Sequence, residues 1–188
     1  GSPARDHGKQ AALDKLGAPP VPGETVEPLA RGFQPARVAV GLSADTVARI
    51  AVVTAAHDLS LSSFLLACWQ TLIWRLTGRS DAIVGTAFDG RKFAELQSTI
   101  GLVSTYLPIG SGIVGGDAFT TTWAEVSARV VDAHRRQEYF AWDSDGFFPY
   151  CFEFRTRGEP RSAAGISFGI EMQDACIDRF TVKFVCEE

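Results

Sequence analysis

The stretch that most constrains this chain is the apolar segment at residues 61–76, where Gln70 and Arg75 are the strongest polar interruptions in a run of Leu, Phe, Ala, Cys, Ile and Trp. A helix with so little polar face must be buried on most sides, so the remaining chain has to supply its cover. After a break at residues 77–80, the apolar run 81–88 reads as an interior strand. A turn at Asp89-Gly90-Arg91 and a second strand over 102–109 complete the unit around which everything else must pack.

At 188 residues and 46% apolar composition, the chain is long enough for one domain with a sizeable core. A net charge of −4 with scattered Lys and Arg provides no basic stripe for a nucleic-acid backbone. Gln70 and Arg75 interrupt the longest apolar run below the roughly 18 residues a membrane span requires. The N-terminus shows no signal peptide, and Gly1-Ser2-Pro3 looks like the scar of a cleaved tag, so a cytoplasmic protein is expected. Cys68, Cys151, Cys176 and Cys186 have no CxxC spacing, and buried, reduced thiols are expected rather than a disulfide framework or a metal site.

Residues 1–34 are polar and carry the breaker run Gly17-Ala18-Pro19-Pro20-Val21-Pro22-Gly23, which reads as a linker or N-terminal extension, with a weak helix over 8–16. The domain proper is then residues 35–188. Arg37 to Leu42 alternates and predicts a strand; Ser43 is a good N-cap for a helix with Val47, Ile50, Ala51 and Thr54 on its inner face, ending near His57. Ser60 caps the organising helix and Gly78 stands where a C-terminal glycine belongs. Residues 92–98 fit a single helical turn. Asp117 or Thr120 is expected to cap a helix to about Tyr139, with Trp123, Val126, Val130 and Ala133 inward. In the last third the period becomes two: Tyr150, Phe152 and Phe154, then Ile166, Phe168 and Ile170, then Phe180, Val182, Phe184 and Cys186 form the buried faces of three strands. Their turn-rich connections predict an antiparallel meander. A sequence stopping at Glu188, directly after a strand, is expected to be a shortened domain.

Little catalytic chemistry is legible. The three histidines, His7, His57 and His134, have no metal-binding spacing, and no H-E-x-x-H, G-x-S-x-G, G-x-G-x-x-G or Walker pattern occurs. Arg91 can hold a carboxylate or staple its own turn to the following segment, the structural role being favoured. Residues 142–146 read as a flexible connection.

In order and spacing, these motifs resemble the C-terminal lobe of the condensation domains of nonribosomal peptide synthetases. Residues 38–109 carry the likeness: a strand and helix, the residue 61–78 helix in place of "LLAA…L..TG", the Asp81 to Arg91 strand and turn, and the Ile100-Gly101-Leu102-Val103-Ser104-Thr105-Tyr106-Leu107-Pro108-Ile109 strand in place of "IGxFVNTLPLR". Residues 136–140, 148–154 and 178–184 continue it more weakly. The resemblance implies an α/β two-layer sandwich, a mixed sheet with helices on one side, half of a chloramphenicol-acetyltransferase-like domain. The family joins carrier-bound acyl groups in a tunnel between two lobes, and its H-H-x-x-x-D-G motif belongs to the other lobe. No two histidines are adjacent here, Thr105-Tyr106 replaces Asn-Thr, and Gly110 stands where an Arg belongs. The expectation is therefore a non-catalytic, truncated lobe serving as a structural and interaction platform for a neighbouring adenylation domain. It would have no catalytic residues, metal or cofactor of its own, phosphopantetheine being carried by a partner carrier protein, and it would dock through the Pro-rich lead and one edge of the meander. The alternative is the acceptor-side half of an active condensation domain, with Asp89, Arg91, Ser104, Thr105 and Tyr106 lining or bracing the tunnel wall. A coenzyme A-dependent acyltransferase of this fold would need a histidine from a partner subunit, since His57 and His134 both fall on helices.

Overall fold

In the computed structural model, residue 22 and residues 35–101, 103–140, 148–169 and 180–188 are described. The linker expected at 1–34 lies, apart from residue 22, outside them, as do Cys176 and the connection at 142–146.

Helices α1 (Ala44–His57) and α2 (Leu61–Thr77) begin on serine caps, Ser43 accepting from the Thr46 amide and Ser60 from that of Ser63. Asp58 ends α1 and Gly78 ends α2, both left-handed, with φ of 51° and 71°. Strand β1 (Ile83–Phe88), a 3-10 turn (Ala94–Leu96) and β2 (Thr105–Gly110) follow, then α3 (Phe119–Arg135) and a second 3-10 turn (Gln137–Tyr139). The remainder is β: β3 (Tyr150–Arg155), β4 (Arg161–Ala163), β5 (Ile166–Phe168) and β6 (Val182–Glu187).

Four strands form one mixed sheet in the order β2-β1-β3-β6. β1 runs antiparallel to β2, with Val84 opposite Ile109 and Phe88 opposite Thr105. It runs parallel to β3, which in turn runs parallel to β6 from Tyr150–Val182 to Arg155–Glu187. The expected two-layer architecture is present, with the helices packed on one side. Its core joins Leu66, Ala67 and Ile73 of α2, Trp123 and Val126 of α3, and Val84, Leu107, Ile109, Tyr150 and Phe152 of the sheet. At about 25 cal/mol per Å², each large member such as Trp123 or Leu66 contributes about 2–3 kcal/mol by burial. Ser63 is also buried, and its hydroxyl accepts from the Trp123 indole at 2.9 Å while donating to the Ser60 carbonyl at 2.8 Å. One cap residue and its neighbour thus hold α2 to α3.

Five expectations need correction. Among the described residues no strand forms over Arg37 to Leu42, and Val38 is 90% exposed and Val40 83%; alternation alone does not supply a neighbouring edge. Consistent with that bareness, α1 has no buried residue, and of its expected inner face only Ile50 and Thr54 are half-buried. β2 starts at Thr105 rather than 102. α3 starts after Ala118, which makes no side-chain cap bond, and ends at Arg135, where a 3-10 turn takes over. The meander is absent. β3 and β6 pair in parallel, which requires a long crossover, and the connection between them carries a separate β4–β5 hairpin. Ala164 (φ 51°) and Gly165 (φ 78°) turn that hairpin, the positive φ at both central positions that a two-residue turn demands.

Candidate functional site

The five residues that the resemblance places on a tunnel wall gather at one end of the β1–β2 ladder, but they divide into separate arrangements. Asp89 accepts from the Arg91 backbone amide at 3.1 Å and from its Nη1 at 3.0 Å. The rest of the Arg91 fork, Nε and Nη2, donates to the Thr99 carbonyl at 3.2 and 3.0 Å. Arg91 therefore staples the turn to the loop before β2, the structural role favoured from sequence. Gly90 is needed for this approach, because a Cβ there would lie 1.9 Å from the Val103 carbonyl oxygen. Ser104 is exposed, and Thr105 sits opposite Phe88 on the helix side.

Tyr106 points to the other side, where the sheet carries a charged cluster. Its hydroxyl donates to Glu153 Oε2 at 3.1 Å, and Lys183 Nζ meets the same oxygen at 2.8 Å. Arg155 Nε holds Oε1 at 2.6 Å. Lys183 also lies over the Tyr106 ring, 5.2 Å from its centroid, and its side chain is only 8% exposed. Glu187 extends the chain of charges, 3.8 Å from Arg155 and 3.1 Å from Arg157. Burial, the largest single influence on Glu153, pushes its carboxyl up. The hydrogen bonds and charges of Arg155 and Lys183 together outweigh it and bring the group down from 4.5 to about 2. The cluster ties β2, β3 and β6 across the sheet face; β1 reaches that face with Ala87 and Gly85, and a Cβ on Gly85 would collide with the Phe148 ring at 2.4 Å.

An open groove of about 480 Å³ runs between the outer edge of β2 and α3, floored by Leu107, Ile109, Ala133 and Phe140, with Arg129 and Arg136 on its rim. Both arginines are engaged, Arg129 with Glu125 at 2.9 Å and with the Gly110 and Ser111 carbonyls, Arg136 with Asp132 at 3.0 Å.

The two described histidines pack on aromatic rings, His57 5.4 Å from Trp123 and His134 6.3 Å from Phe88, centroid to centroid. Trp123 and His134 are both on α3, about 16 Å apart at 1.5 Å per residue. Among the described residues no group of three or more His, Cys, Asp or Glu side chains could hold a metal ion. The Cys151 thiol donates to the Phe148 carbonyl at 3.4 Å, and burial raises the Cys186 thiol to about 11, with Cys68 nearby adding to it. No single helix among the described residues is long and apolar enough to cross a membrane, and α1 and α2 are bent by 106° at the break between them.

A mixed sheet covered by helices on one side, with the motif order β1, Asp89-Gly90-Arg91, β2, defines half of a chloramphenicol-acetyltransferase-like domain. The condensation-domain family model matches residues 10–141, and the chain belongs to that family. It is 31% identical over 116 residues to surfactin synthase subunit 1 of Bacillus subtilis (strain 168), and 29% identical over 119 residues to bacitracin synthase 2 of Bacillus licheniformis. Those matches cover 61% and 63% of this chain but only 3% and 5% of the synthetases. Among solved structures, the first condensation domain of the CDA synthetase superposes with a TM-score of 0.57 at 19% identity, over 68% of this chain and 32% of that one. SgcC5 from Streptomyces globisporus gives 0.59 at 17% identity, over 88% and 42%. These superpositions bear out the fold expected from sequence.

Proposed function

We propose that this chain is a non-catalytic condensation-domain lobe of a nonribosomal peptide synthetase, a cytoplasmic multidomain enzyme, and that it serves as a structural platform for a neighbouring adenylation domain. The observation that supports this reading is that the described residues build a hydrophobic core from α2, α3 and the sheet, while these 188 residues contain no adjacent histidine pair and so no H-H-x-x-x-D-G. Burial maintains such a fold without the chemistry. The Arg91 fork and the Tyr106 hydroxyl are also committed to internal partners, Thr99 and Glu153. No cofactor of its own enters this role; phosphopantetheine stays on a partner carrier protein. The docking surface on this reading includes the Pro-rich lead; the meander edge expected beside it does not form, because β3 and β6 pair in parallel. Sedimentation velocity of this chain mixed with the adenylation domain of its own synthetase tests it. A saturable complex is expected, and no complex at about 100 μM, a hundredfold above a micromolar Kd, refutes it.

A second reading has one observation behind it: Asp89, Arg91, Ser104, Thr105 and Tyr106 do share one end of the β1–β2 ladder. On that reading the chain is the acceptor-side half of an amide-forming condensation domain, completed by a lobe that brings the histidines, and those residues brace its wall.

A further inference from the structure

We draw no further inference here: the strongest candidate, the open groove of about 480 Å³ between the outer edge of β2 and α3, carries nothing, because its rim arginines Arg129 and Arg136 are already paired with Glu125 and Asp132 and nothing in the structure shows what covers its apolar floor.

Discussion

Replacing Glu153 by Gln removes the charge to which Lys183 and Arg155 are both bound while keeping the side chain's size. In the folded chain this carboxyl sits at about 2 against 4.5 for an ordinary glutamate. A difference of about 2.5 units at 1.36 kcal/mol each corresponds to about 3.4 kcal/mol. Because 19% of the Glu153 side chain is still exposed, solvent screening reduces this to about 1.5–2 kcal/mol. The sign follows from the depressed folded value: the contribution is full above about pH 4.5, where the unfolded carboxyl is also ionised, and is lost as pH falls from there through about 2. Urea unfolding followed by tryptophan fluorescence measures it. With a slope of about 2 kcal/mol per M, the Glu153→Gln midpoint should lie about 0.8–1 M below wild type at pH 7, and the gap should close as pH approaches 2. A gap below about 0.5 kcal/mol at pH 7, or one that persists unchanged at pH 2.5, would show that the cluster does not tie β2, β3 and β6 together as described.

Other outcomes follow from single contacts. Ser63→Ala leaves the Trp123 indole N–H buried without its 2.9 Å acceptor and should cost about 1–3 kcal/mol in the same unfolding assay, with Ser62→Ala near neutral. Gly85→Ala forces a methyl into the Phe148 ring, 2.4 Å away, and should lower the thermal midpoint by several degrees, with partial rescue by Phe148→Leu. Cys186, with its thiol raised from 9.0 to about 11, should be about a hundredfold poorer in thiolate than an ordinary cysteine, and iodoacetamide mapping at pH 7.5 should find it modified correspondingly slowly until the chain is unfolded.

The helical half of the fold was legible because its signals are local. Ser43, Ser60 and Gly78 cap helices by satisfying backbone groups a few residues away. The apolar density of residues 61–76 points to burial, and Leu66, Ala67, Gln70 and Ile73 are buried, but Leu72 and Leu76 stay exposed, so the helix is covered on fewer sides than expected. The β half was legible only as strands. Periodicity places Phe152 and Phe184 inward, but it does not say whether their strands run parallel, because that depends on where the chain between them travels. Arg37 to Leu42 shows the converse: its alternation is as regular as that of β3, yet a strand needs an edge to pair with. The Ala164-Gly165 turn escaped because alanine seldom takes positive φ. Of the candidate site, Asp89, Arg91 and Tyr106 were visible through the resemblance, and Arg91 took the stapling role favoured for it. Glu153, Arg155 and Lys183 were not singled out, since an alternating strand reads its polar positions as solvated. The one available signal was three charges on strands whose other face is apolar; what it lacked was the parallel register that brings Cys151 opposite Lys183, and so Glu153 within reach of its ammonium group.

The most direct test of the non-catalytic role is an amide-formation assay. This chain would be mixed with, and separately fused to, a condensation-domain lobe bearing H-H-x-x-x-D-G, and supplied with aminoacyl-loaded donor and acceptor carrier proteins. The account predicts no dipeptidyl carrier product above the level given by the carriers alone, in either arrangement. Product that depends on the presence of this chain, and that falls when Arg91 or Tyr106 is replaced, would contradict it and make the chain the acceptor-side half of a working condensation enzyme.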